Sequence, residues 1–179
     1  MRRLRSTDFA EALISDAPSA ELGDRATDFD WVIGGWSAVV RDFGCDGSVS
    51  ESTGEWWFSW ILEGRAIQDI WIVPPRVDRA KSTREYNRYG TTIRFFDPGE
   101  KMWRILWVNP VSGVKSELAG RREGNRIVLE GTSGTERIRW SFNDISDQAF
   151  VWRGEHQGTD KQWVVGAEFD LKRKADNKP

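Results

Sequence analysis

The chain has 179 residues, about the length of one domain, and its 26 basic and 28 acidic side chains leave a net charge of −2. No global field of either sign therefore favours nucleic acid or an anionic membrane. A single cysteine, Cys45, and a single histidine, His156, exclude an internal disulfide and a multi-ligand Cys/His zinc site.

Ser6 or Thr7 is placed to cap a short helix in which Phe9, Ala12 and Leu13 share a face, with Pro18 beyond its end. The basic start MRRLRS is followed by acidic residues and short apolar groups, so it lacks the apolar stretch of a signal peptide. No segment approaches the run of about 20 apolar residues that a membrane span needs. A cytoplasmic protein is expected. Residues 17–27 read as a connector, so the chain divides into a helix and connector over 1–27, a main domain over 28–174 and a tail over 175–179.

From Trp36 onward the pattern is apolar/polar alternation broken by turn residues at short intervals, the signature of an all-antiparallel sandwich or barrel. The predicted strands are 36–43, 51–62, 66–74, 90–96, 102–109, 114–121, 126–132, 135–142, 148–156 and 162–173. Turn sequences such as Asp97-Pro98-Gly99, Ser112-Gly113, Glu123-Gly124-Asn125 and Ser133-Gly134 separate them. Ten strands in meander order most economically close on themselves, because an open meander leaves two edges free to aggregate. The expected fold is all-β, a ten-stranded antiparallel up-and-down barrel.

In the strand over 135–142, Glu136, Ile138, Trp140 and Phe142 form the inward set by the period-2 rule. Trp163, Val165, Ala167, Phe169 and Leu171 do so on the last strand, with Phe150 and Trp152 before it. Strand 51–62 resists this division. Trp56, Phe58 and Trp60 take one face, Trp57 and Ile61 take the other, and the outer face needs a cover such as the N-terminal helix through Phe9 and Leu13.

The sequence Phe29-Asp30-Trp31-Val32-Ile33-Gly34-Gly35-Trp36 resembles the short helix and Gly-x-Trp opening of the calycin barrels, the lipocalins and fatty-acid-binding proteins. The resemblance implies that Trp36 closes the barrel floor and that Arg173, in phase with Phe169 and Leu171, covers it in a cation–π contact. A closer resemblance, over about residues 29–173, is to bacterial lipocalin-like proteins of unknown function. In these a Trp-rich second strand turns through Leu-x-Gly-Arg into a strand like Ala66-Ile67-Gln68-Asp69-Ile70-Trp71. That resemblance implies a fold and no agreed chemistry.

A barrel of this size is either just filled by side chains or open enough for one small ligand. With 11 Trp and 9 Phe in the chain, both outcomes are served by stiff aromatic bulk. Each single Trp reads first as core, whereas the set Trp56, Trp60, Trp71, Trp107, Trp140 and Trp152 reads as a lined pocket. Among polar residues in phase with inward apolar ones, Asp69 and Arg94 are placed to form a buried pair at the pocket wall, with Arg94 also a ligand contact. Glu136 and Asp69 are the candidate acid/base groups, against a solvated turn position for Glu136 and a register-fixing ion pair for Asp69. Gln68 and Asn109 read as hydrogen-bonding partners of hairpin backbone.

His156 is the one candidate haem ligand, since related haem-binding barrels use a histidine near the C-terminus. The glycine-rich opening of those barrels is replaced here by apolar Gly35-Trp36-Ser37-Ala38-Val39-Val40, and a solvent-facing histidine at a turn is the plainer reading. The connector over 74–89 is the longest break, with five basic residues and with Tyr86 and Tyr89. It reads as a solvated loop or as a basic lid suited to a ligand with a carboxylate or phosphate tail. No G-x-S-x-G or G-K-[ST] motif is present and no motif implies a cofactor.

The expected function is binding of a small hydrophobic, conjugated or aromatic molecule inside a Trp-lined barrel. The alternatives are a cofactor-free cyclase or isomerase acting on a polyketide- or terpenoid-like substrate, haem binding, and a filled barrel serving as an interaction module. The expected partner is the small molecule, with no nucleic acid and no membrane, and a homodimer is left open.

Overall fold

The computed structural model describes residues 6–81 and 88–175 of the chain. A helix α1 (Ser6–Leu13) leads into a two-residue strand β1 (Ile14–Ser15) and then into 3-10 turns over Ala20–Asp28 and Asp30–Val32. Ten longer strands follow: β2 (Gly34–Phe43), β3 (Val49–Ile61), β4 (Ala66–Val73), β5 (Arg88–Asp97), β6 (Met102–Asn109), β7 (Val114–Glu123), β8 (Arg126–Ser133), β9 (Glu136–Asn143), β10 (Ala149–Gln157) and β11 (Trp163–Arg173). Each pairs antiparallel with its sequence neighbour, and β11 pairs with β2 to close the ring. Every strand but β1 thus has partners on both sides, which leaves the barrel wall no free edge. This is the calycin-like barrel expected from the sequence.

The strand limits agree with the alternation to within a residue or two. The differences carry information, because β5 begins at Arg88 rather than at residue 90 and thereby adds a charged residue in phase with Gly90, Thr92 and Arg94.

The Leu-x-Gly-Arg turn has a physical basis. Leu62, Glu63 and Gly64 all take left-handed φ values of 53°, 58° and 77°, and a Cβ on Gly64 would fall 2.3 Å from the Ala17 carbonyl oxygen. Glycine is needed there both for its φ and for the close approach of the N-terminal segment. The Ser19 N–H donates to Gly64 O at 2.9 Å, and Arg65 pairs with Glu21 and Glu63.

Three expectations are corrected. Phe9 is 65 % exposed, so α1 does not cover β3 through it; Ile61 is instead flanked by β1. Outward-facing Trp57 lies against Gly35, where a Cβ would meet its ring at 2.6 Å, and between the cations of Arg76 and Lys174, 5.2 and 5.0 Å from the ring centre. On β11, Gly166 is skipped in the ladder where Glu155 pairs with Val165 and Gly154 with Ala167, and the bulge shifts the strand's phase. Trp163 accordingly lies 4.5 Å from the guanidinium of Arg139, which alternates with inward Trp140 and faces out. Glu136 keeps the inward phase of Ile138 and Phe142 but sits at the exposed end of β9, next to the turn. Thr7, one of the two cap candidates, lies within α1, while the side chain of Ser6, Tyr86 and the middle of the 74–89 connector, and the tail beyond residue 175 lie outside what is described.

Candidate functional site

The barrel interior is divided along its axis. At the end carrying the N-terminal turns it is filled: Phe29, Val32, Trp36, Trp103, Ile127, Phe142 and Phe150 are buried together. Arg173 lies 4.2 Å from the ring of Trp36 and donates to the carbonyls of Ile33, Trp31 and Asp147, closing this end as the calycin resemblance implies. The 3-10 turns supply acceptors for indoles that would otherwise be buried unpaired. Trp103 donates to Asp28 at 3.0 Å and Trp60 to Asp30 at 3.1 Å. These two aspartates are not legible as partners in the sequence, where the opening of the barrel domain reads only through its aromatic and glycine pattern.

Above this plug lies the pair expected from phase. Asp69 and Arg94 form a fully buried salt bridge, and Asp69 also accepts from the Thr92 N–H at 3.2 Å. Burial pushes the Asp69 carboxyl up, opposed mainly by the Arg94 charge. The Trp56 indole N–H is close enough to favour the carboxylate but makes no hydrogen bond of acceptable geometry. Arg94 leaves Nε and Nη1 without acceptors and spreads its plane over Phe58 and Phe29, 5.0 and 5.2 Å from their ring centres. The pair is therefore spent internally and is not part of a cavity wall.

At the opposite end the barrel holds a cavity of about 250 Å³. Its wall includes Trp56, Trp71, Trp107, Trp140, Trp152 and Phe169, with Thr92, Asn109 and Ala167 between them and Arg88, Ser112 and Val114 toward the rim. Phe169 is stacked on both Trp71 (4.5 Å, 17°) and Trp152 (4.3 Å, 18°), so one side of the cavity is a run of near-parallel rings. Trp140 meets Trp152 at 63° and Trp107 meets Trp140 at 80°, which sets the remaining indoles edge-on. Each indole is wedged by its neighbours, and Trp107 lies over Gly90, where a side chain would collide with it.

Five of the six tryptophans singled out by phase are thus brought together. Trp60 is in phase but lies in the plug, held by Asp30. None of Glu136, Asp69 and Arg94 is among the residues that line the cavity. His156 is half-buried beside Gly166 and is not a wall residue. Asn109 caps its own hairpin by accepting from the Val111 N–H at 3.0 Å while its side chain borders the cavity. The sequence reading leaves Arg88 among the basic residues of the 74–89 connector, because it starts this strand two residues later; its phase with Thr92 is the signal that puts it on the wall. Arg88 pairs with Asp42 of β2, in phase with inward Val40. Among the described residues no group of three or more His, Cys, Asp or Glu side chains is placed to hold a metal ion.

No protein-family model matches the chain, and no curated protein matches it by sequence. Solved structures do share its fold. Rv2717c from M. tuberculosis superposes with a TM-score of 0.64 at 15 % identity, over 86 % of this chain and 99 % of that one. The S-type phycobiliprotein lyase CPES from Guillardia theta superposes at 0.59 with 9 % identity, over 86 % of this chain and 94 % of that one. At these identities the likeness is one of barrel architecture. No helix among the described residues is long and apolar enough to cross a membrane.

Proposed function

We propose that the protein binds a small, flat, largely apolar molecule in the aromatic cavity and holds it without transforming it. The observation that carries this reading is the cavity itself: about 250 Å³ walled by five tryptophans and Phe169 at one end of a barrel whose other end is filled. An apolar space of roughly 150 Å³ takes a benzene, so this one suits a ligand of about two rings. Near-parallel Trp71, Phe169 and Trp152 offer a conjugated ligand stacking geometry. Binding is favoured over catalysis because the described wall contains no carboxylate and no histidine to move a proton.

Titration with N-phenylnaphthylamine, a neutral dye of a naphthyl and a phenyl group that brightens on leaving water, tests the reading. One dye per chain should bind saturably at micromolar protein and quench tryptophan emission. Absence of saturable binding would favour a barrel that serves only as an interaction module. Native mass spectrometry of protein purified from its own host would then identify the bound species.

A further inference from the structure

Resting on that reading, we infer that the ligand is an aromatic acid, seated with its rings among the tryptophans and its anionic group at Arg88. Arg88 is the one charged side chain among the described cavity-lining residues. It stands at the first position of β5, at the rim, while the wall below it is apolar except for Thr92, Asn109 and Ser112. The neutral polar groups nearest the rim are engaged locally: Asn109 accepts from the Val111 N–H and Ser112 from the Val114 N–H. The guanidinium is thus the group on this wall suited to orient a ligand by charge.

Its present partner is replaceable. Arg88 reaches across β4 and β3 to Asp42 on β2, and the two side chains are 35 % and 31 % exposed. An ion pair this wet contributes little, on the order of 0–1 kcal/mol. A ligand carboxylate or sulfonate presented from an apolar cavity meets the same planar donor fork from the drier side, where a charge-assisted hydrogen bond is stronger. Asp42 then acts as the competitor that such an anion displaces. The flanking connector adds positive charge, with Arg79 donating to the Arg88 carbonyl at 3.3 Å and lying 4.9 Å from the Tyr89 ring. The rim therefore attracts anions in a chain whose net charge is slightly negative.

The test compares two dyes with the same ring system, anilinonaphthalene sulfonate and neutral N-phenylnaphthylamine, on the intact chain at low salt. The wild type is expected to favour the sulfonate by about tenfold. Arg88→Gln should bring the ratio of the two affinities to about one, and Asp42→Asn, which removes the competitor, should raise it several-fold. Because both side chains are partly solvated at the rim, neither change threatens folding, and the opposite directions of the two variants separate an anion site from general damage. A wild type without preference for the sulfonate, or a ratio unmoved by Arg88→Gln, overturns the inference while leaving the apolar cavity intact. Saturable binding of neither dye overturns both.

Discussion

Trp107 leans across the barrel wall onto Gly90 of the neighbouring strand, so closely that a Cβ at Gly90 would sit 2.3 Å from the far edge of the indole and 2.7 Å from the Val108 carbonyl oxygen. The missing side chain is what lets the indole lie back against the wall and leave space in front of it. Gly90→Ala should force Trp107 inward and disturb the β5–β6 ladder. We expect a loss of about 1–3 kcal/mol of stability from the overpacking. Binding of N-phenylnaphthylamine should weaken by about tenfold, or roughly 1.4 kcal/mol. Urea unfolding and dye titration check the two effects separately; unchanged dye affinity would mean that the indole does not set the size of the cavity.

At the closed end, Arg173 lies over Trp36 and donates to three backbone carbonyls from the opening turn and the β9–β10 hairpin. Replacing it with Met keeps the stem and removes both kinds of contact. The three hydrogen bonds at about 1 kcal/mol each and the cation–π contact at about 0.5–2 kcal/mol suggest a loss of roughly 3.5–5 kcal/mol. Arg173→Lys should recover little of it, because an ammonium cannot reproduce the planar fork. Thermal unfolding followed by near-ultraviolet circular dichroism reads this, since Trp36, Trp31 and Phe150 share the same packing.

The barrel was legible because alternation over ten segments leaves little choice of topology, and the inward phase of Trp56, Trp71, Trp107, Trp140 and Trp152 followed from it. Phase does not report depth. It put Trp60 and Glu136 on the inward side correctly or nearly so, yet one lies in the plug beside Asp30 and the other at an exposed strand end. A bulge also defeats it, as at Gly166, beyond which Trp163 meets Arg139. Which end of the barrel is filled depends on where Phe29, Trp31 and Val32 turn back into it, a tertiary event that no local pattern encodes.

The buried pair separates a structural from a functional account of Asp69. Asp69→Asn leaves the Arg94 guanidinium charged, with no countercharge and with two N–H groups already lacking acceptors. Breaking such a pair should cost about 3–5 kcal/mol. Replacing both partners together, as Asp69→Leu with Arg94→Met, should restore much of that, because neither buried charge remains. Chemical denaturation of the two single variants and the double variant gives the coupling directly. A single substitution costing under about 1 kcal/mol would show that water reaches the pair.

On the outside of the wall, Glu55 is 3 % exposed and gathers the Arg76 backbone and side chain, Lys174 and the Trp57 indole around one carboxylate. Burial alone would raise its pKa, but the hydrogen bonds from Arg76, Lys174, the Arg76 amide and Trp57 outweigh it and hold the carboxyl well below the usual carboxylate range. In the unfolded chain a glutamate titrates near about 4.3. Because the folded value is the lower one, the unfolded state binds the proton first as pH falls. The stabilisation is therefore fully present above about pH 5 and is lost progressively below about pH 4, toward the depressed folded value. Glu55→Gln removes the titrating group, so it should lower stability at neutral pH by about 1–3 kcal/mol, the range for hydrogen bonds to a charged group with partly solvated partners. The variant should also lose part of the acid-side slope, so that the two stability curves converge as pH falls below about 4. Denaturant midpoints collected across the acid range test this, and parallel curves for the two proteins would show that the cluster does not hold the carboxylate ionised.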